Sequence, residues 1–253
     1  MLGPVNLILL EPYEVDDAGT AHVTGARATH VTTVLRAEPG QALRIGRVDG
    51  PLGMGTVTSI DGTTVSLACR FEAAPPPRPR VDLLLAVPRP KVLRRLWSQL
   101  AAIGVGRIIL TNAARVERHY FDSHVLEAGT YAPLLVEGLQ QARDTWLPDV
   151  SVHRRFKVLV EDDLDAMCPS GVRLVAHPGE GHSIRQALSH VGGARVLLAV
   201  GPEGGWVDFE RGLLVERGFQ PVELGQRPLR SDTATIALMT LVQDALRQTG
   251  QQT

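Results

Sequence analysis

The sequence predicts an α/β fold built on a mainly parallel sheet, preceded by a small domain of short strands. Three observations carry that expectation. Continuous apolar runs recur through the later part of the chain, stretches of helical periodicity separate them, and a proline-rich seam divides this region from one punctuated by glycine and Asp-Gly turns. A continuous apolar run reads as a strand covered on both faces, as in parallel sheets flanked by helices.

The elements follow in order. The opening stretch, "MLGPVNLILLEPYEVDD", has only a short apolar cluster and no basic leader, and nowhere do eighteen apolar residues run together, so a soluble, cytoplasmic protein is expected. "QALRIGRV", "GMGTVTSI" and "TTVSLAC" then read as strands of a small all-β barrel over residues 1–74. "EAAPPPRPR", residues 72–80, carries four prolines in nine positions and can be neither helix nor central strand. The boundary is placed there, with a linker over 75–80 and a second domain over 81–253. In that domain "VDLLLAVP" (81–88), "RIILTNA" (107–113), "VRLVAHP" (172–178), "ARVLLAVG" (194–201) and "QPVEL" (220–224) are the expected strands. Val92, Leu93, Leu96, Trp97, Leu100 and Ile103 recur at helical spacing, as do Ile236, Leu238, Met239, Leu241, Val242 and Leu246.

Composition bounds the function. The 253 residues are 44% apolar, enough for one or two cores, and the net charge of −1 at first argues against a nucleic-acid partner. The distribution of charge argues the other way. From Arg78 to Arg118 there are nine basic and two acidic residues, an excess of seven that suits a phosphate-facing surface. The plainer alternative is a solvated helix face plus a linker. Residues 1–74 hold five basic and eight acidic residues, which suits a strong RNA clamp poorly. Cys69 and Cys168 stand outside any metal-binding or disulfide pattern and read as free thiols.

In an open parallel sheet, ligands bind beyond the carboxyl ends of the strands. Three such ends are chemically unusual here: "AHPGEG", "VGPEGG" and "LGQRPLRSDTA". None fits a phosphate loop, since "GPEGG" lacks Gly-Lys-Ser/Thr and is not G-x-G-x-x-G. "GPLGMG" at 50–55 follows a turn in the β-rich part and does not open a helix. Gly201, Gly204 and Gly205 could serve a tight turn or a ligand, and the repetition of such ends along one edge favours the ligand.

"AVGPEGGW" followed by "ELGQRPLRSDTA" resembles the paired C-terminal motifs of the SPOUT class of methyltransferases, specifically the RsmE family, which methylates N3 of a uridine in 16S rRNA of the small ribosomal subunit. "RPKVLRRLWSQLAAIGVGRIILTNAARVER", His177–Pro178 and the N-terminal "HVTTVLR…PGQ" extend the resemblance over essentially the whole chain. The resemblance implies a PUA-like N-terminal barrel, a C-terminal trefoil knot and a homodimer whose sites borrow from both subunits. It implies S-adenosyl-L-methionine as cofactor, held by His177, Pro178, Val200, Gly201, Pro202, Glu203, Gly204, Gly205, Leu224, Gly225, Leu229, Arg230, Thr233 and Ala234. It also implies 16S rRNA as partner, as part of the assembled small subunit. Arg36, Arg89, Lys91, Arg94, Arg95, Arg118, Gln141 and Arg143 are the residues expected on RNA. Two departures stand out: Asp232 replaces the family's Glu, and Arg143 falls one position early in the family's Gln-containing segment.

A neutral uracil N3–H is a poor nucleophile, so the site must favour the uracil anion. A guanidinium beside O2 or O4 would do that, and Arg115 and Arg230 are the candidates. Glu203 could take the proton; alternatively it caps the helix that follows the glycines. No metal is expected. Two other readings use the same motifs: a related enzyme acting on a tRNA base or a ribose 2′-hydroxyl, or a knotted protein that binds RNA without catalysis.

Overall fold

The computed structural model describes residues 7–169, 171–179, 181–225, 227 and 229–250. Glu180, Gln226 and Pro228 of the strand-end motifs lie outside them. The chain divides into two compact units, Met1–Arg78 with Val136–Leu147, and Pro79–Leu135 with Pro148–Thr253.

The first unit holds β1 (Leu7–Leu10), β2 (Thr20–Val23), the short helix α1 (Gly25–Thr29), β3 (Ala42–Arg47), β4 (Leu52–Asp61) and β5 (Thr64–Phe71). They form one five-stranded sheet in the order β1-β3-β4-β5-β2, antiparallel except for β1 on β3. Every strand sends residues into a single core, among them Leu10, Ala21, Ile45, Val57 and Leu67, so the sheet curls around its own interior. The expected strands at 41–48, 53–60 and 63–69 are present, whereas β1 and β2, each four residues long, carry too short a pattern to read. Arg27 closes the outside of this unit with a forked hydrogen bond to Glu14. That bond holds the Glu14 carboxyl below its ordinary range although burial opposes it, so the stabilisation is present near neutrality and is lost as pH falls into the acid range.

Residues 136–147, which the sequence assigns to the second domain, pack with the first unit. The Thr145 hydroxyl donates to Gly50 O (2.6 Å), and Asp49 N–H donates to Thr145 O (2.8 Å). The Trp146 indole donates to Pro76 O (2.6 Å) beneath the Arg78 guanidinium, 4.1 Å from its ring. The sequence carries no sign of this, because the segment ends one continuous helix.

The second unit is built on β6 (Val81–Ala86), α2 (Pro90–Ile103), β7 (Arg107–Thr111), the first part of α3 (Ala128–Ala142) and β8 (Asp149–His153). The short helices α4 (Phe156–Val158) and α5 (Leu164–Met167) follow, then β9 (Val172–Ala176), β10 (His182–Ser183), α6 (Ile184–Ala187), β11 (Val196–Val200), α7 (Asp208–Glu216), β12 (Phe219–Glu223) and α8 (Ser231–Gly250). All neighbouring strands in its seven-stranded sheet are parallel, in the order β10-β12-β9-β11-β6-β7-β8. Every residue of β6 and β11 is buried, as their apolar character requires, and Asp82 of β6 is paired with Arg195 at 2.6 Å. Leu93, Leu96, Trp97 and Leu100 of α2, and Leu238, Met239 and Val242 of α8, supply the covering stripes. The helices are tied at their ends as well. Gly104 ends α2 in the left-handed conformation (φ +87°), and the Gln243 amide of α8 donates to Ile103 O and Gly104 O at 2.6 and 2.8 Å.

Among the described residues, no helix is long and apolar enough to cross a membrane. Cys69 and Cys168 are free, and burial pushes both thiols up, away from the reactive thiolate.

Candidate functional site

Because the strands are parallel, the carboxyl ends of β12, β9 and β11 fall side by side on one edge, with that of β7 further along it. A cavity of about 320 Å³ opens there. His177 and Pro178 line it after β9, the loop Gly201–Trp206 after β11, Leu224 and Gly225 after β12, and Arg115 on the loop after β7. Val200, Leu229, Ser231 and Ala234 complete its wall. Twelve of the fourteen residues expected to hold a cofactor thus meet in one cavity: His177, Pro178, Val200, Gly201, Pro202, Glu203, Gly204, Gly205, Leu224, Gly225, Leu229 and Ala234. Arg230 and Thr233 do not line it. Ser231 and Ala234 face the cavity, and at about 100° per residue Thr233 is turned well away from Ser231. Arg227, which sequence reading passed over, takes a place in the wall.

The glycines of the β11 loop answer different demands. Gly205 has φ +75°, a conformation that side chains strain to adopt. Gly204 does not need a positive φ; a Cβ there would stand 2.7 Å from Arg115 Cδ. At Gly201 a Cβ would press on Trp206 at 3.2 Å, and Trp206 itself packs at a tilt of 37° against Phe156, with ring centroids 5.4 Å apart. At Gly204 the loop therefore approaches Arg115 as closely as bare backbone allows.

Two polar atoms of this wall are buried without a hydrogen-bond partner: Trp206 Nε1 and His177 Nδ1. Arg211 Nη1 lies 3.4 Å from His177 Nε2 and can only donate, so Nε2 accepts and the proton of a neutral ring sits on Nδ1. Both orphans are then N–H donors on cavity-lining residues. An unpaired buried donor costs about 1–3 kcal/mol, which a ligand acceptor would recover.

Arg115 donates to Gly204 O, which holds its guanidinium against the glycine loop. Glu203 is exposed, and its Oε1 accepts from the Arg89 backbone N–H at 3.2 Å. Arg89 is the N-cap of α2, so Glu203 caps that helix and not α7, the helix the sequence suggested. At α7 the carboxylate is Glu210, only 4% exposed, and the sequence reading missed it. Its signal was an acidic residue at the third helical position, obscured because Val207 stands where a capping hydroxyl is usual.

The basic run separates into two groups. Arg80 donates to Gly192 O and Ala194 O, Arg107 to Met167 O, and Arg78 lies over Trp146, so these serve the fold. Arg89, Lys91, Arg94 and Arg95 are exposed on α2, and Arg118 is exposed after β7. Arg95 shares its charge with Asp232 of α8 at 3.1 Å. In the first unit, Arg36, Gln141 and Arg143 are exposed; Arg36 and Arg143 have φ +49° and +59°. Among the described residues, no cluster of His, Cys, Asp and Glu could hold a metal ion.

A model of the RNA methyltransferase domain matches residues 75–243. Ribosomal RNA small subunit methyltransferase E of Treponema pallidum is 26% identical over 245 residues, spanning 94% of this chain and 90% of that protein. The protein of the same name from Synechocystis sp. is 29% identical over 242 residues, 91% of this chain and 75% of that one. The structure of the Neisseria gonorrhoeae protein of that name, described as bound to S-adenosyl methionine, superposes with a TM-score of 0.77 at 20% identity, covering 94% of this chain and 97% of that one. A probable rRNA-methyltransferase from Porphyromonas gingivalis gives 0.77 at 22% identity, covering 96% and 99%. At those identities the two structures show a shared fold.

Proposed function

The chain belongs to the RNA methyltransferase domain family, and from that premise we propose that it methylates N3 of a uridine in 16S rRNA with S-adenosyl-L-methionine as donor. The observation that carries the proposal is the single cavity at three adjacent strand ends, walled by glycine backbone and by residues bearing two unpaired N–H donors. The relatives' names supply the substrate, and the Neisseria structure's bound cofactor supplies the donor.

The residues present fit that cofactor. Gly205 and Gly225, where a Cβ would meet nothing within 4 Å, leave bare backbone open to an adenosine or methionine group, and His177 Nδ1–H and Trp206 Nε1–H are donors without a partner. When bound, the cofactor supplies a sulfonium-activated methyl group. This chain must then favour loss of the N3 proton from the uracil of the RNA. Arg115 suits that task better than Arg230, since it lines the cavity and Gly204 O fixes its guanidinium. Beside O2 or O4 it stabilises negative charge that appears only as the proton leaves. Glu203 uses Oε1 at the α2 N-terminus, and its other oxygen is left to take the N3 proton.

The exposed face of α2, with Arg89, Lys91, Arg94 and Arg95, and the exposed Arg118 are proposed to meet RNA phosphates, with Arg36, Gln141 and Arg143 of the first, PUA-like unit contributing. The assembled small subunit in the cytoplasm is the proposed setting. A homodimer and a trefoil knot at the C-terminus belong to the same proposal. Leu229 and Leu241 support the dimer, because they are large apolar side chains 46% and 44% exposed, and Leu229 also borders the cavity.

Calorimetry with S-adenosyl-L-methionine and no added metal tests the donor. Saturable binding is expected, with a rise in melting temperature set by mass action, worth about 2.7 kcal/mol at 100 times Kd. Absence of binding at millimolar cofactor contradicts the proposal.

A further inference from the structure

We infer that Glu210 is the positioning residue for Arg115, latching the loop after β7 to the glycine loop after β11. Its carboxylate spans the two. Oε1 accepts from Ala114 N–H at 2.6 Å, and Oε2 accepts from Val207 N–H at 3.0 Å. Ala114 is the residue immediately before Arg115, and Val207 immediately follows the cavity-lining Trp206. A carboxylate this buried is retained only where its oxygens are matched by donors, and both donors here come from loops that line the site.

Glu210 does not line the cavity. It acts through Arg115, whose guanidinium makes the second tie between the same loops at Gly204 O. Without the Ala114 tie, the Arg115 backbone loses its fixed distance from the glycine loop, and the flexible Arg115 side chain is left to join them at Gly204 O. The half-buried Ala114 and Val207 N–H groups would also lose their acceptors, which favours a shifted loop over a vacant one. A displacement of about 1 Å at a charge-stabilising group can cost about 100-fold in turnover.

This inference rests on the proposal that Arg115 acts on the uracil. Its test has one arm that does not depend on activity. In the full-length protein with 15N-labelled arginine, the Arg115 Nη1–H resonance, assigned by its loss in Arg115→Lys, is expected away from the free-arginine position, because Gly204 O holds that N–H. Glu210→Gln, which keeps the shape but replaces one acceptor oxygen with a donor NH2, is expected to move it to that position.

In the kinetic arm, Glu210→Gln should lower kcat by about 10- to 100-fold with KM for RNA and Kd for S-adenosyl-L-methionine within about twofold. In the Arg115→Ala background the same change should cost almost nothing more, because the two residues act as one unit. If Glu210→Gln does not fold, Glu210→Asp, shorter by one methylene, carries both arms. An unmoved Arg115 resonance, or losses that multiply in the double variant, overturns the inference. A wild-type protein inactive on 16S rRNA overturns the function instead and leaves the spectroscopic arm standing.

Discussion

Arg115→Ala is expected to lower kcat by about 100- to 1,000-fold while leaving RNA and cofactor affinity nearly unchanged, the loss found when one preorganised charge-stabilising donor is removed. In the proposed role, Arg115 meets charge that develops only as N3 loses its proton, so ground-state binding has little to lose. The α2 face provides the contrast. Neutralising Arg89, Lys91, Arg94 and Arg95 should raise KM for RNA and flatten its salt dependence by about 0.7–0.9 log units per phosphate contact, with kcat and cofactor affinity kept. Arg95 should contribute least of the four, since Asp232 already shares its charge. Steady-state kinetics at two salt concentrations separates the two classes. An Arg115→Ala variant that loses RNA binding with turnover intact would mean the roles are exchanged.

Gly204→Val should abolish turnover and weaken S-adenosyl-L-methionine by about tenfold or more, equivalent to about 1.4 kcal/mol. A Cβ at this position would come within 2.7 Å of Arg115 Cδ, a separation no relaxed structure holds, so either the glycine loop or Arg115 must leave its place. The branched γ-methyls would then project where the loop approaches the cavity. The fold should survive, because Gly204 is exposed and has no positive φ to lose. Gly205, at φ +75°, is the position where a β-branched residue strains the backbone itself. Calorimetry and a melting curve on Gly204→Val decide the matter: wild-type affinity and turnover would show that the loop only turns the chain.

Much of the second unit is legible in the sequence because burial on both faces leaves an unambiguous mark. "VDLLLAVP" and "ARVLLAVG" are apolar except for Asp82 and Arg195, which pair with each other at 2.6 Å. The edge strand β8, "DVSVH", is only half covered and shows no such run, so it escapes notice. The motifs at the strand ends name most of the cavity wall before any coordinates are known. They do not reveal which glycine is constrained by backbone angle and which by a neighbour, because that depends on Arg115 arriving from a strand about ninety residues earlier in the chain. For the same reason Glu203 is read as a cap of the wrong helix, and Glu210 is not read at all. The alliance of 136–147 with the first unit is equally silent, since Thr145 and Trp146 declare their partners only when Gly50 and Pro76 are brought to them.

The central claim, methylation of uridine N3 in 16S rRNA, is tested most directly by mass-spectrometric nucleoside analysis. Small subunits whose 16S rRNA lacks the modification would be incubated with the protein and S-adenosyl-L-methionine, and the RNA digested to nucleosides. Accumulation of 3-methyluridine toward one per 16S rRNA, absent with Arg115→Ala over the same interval, is the predicted result. No methylated nucleoside with active cofactor-bound protein, or a methyl group on a ribose 2′-hydroxyl or another base, would contradict it.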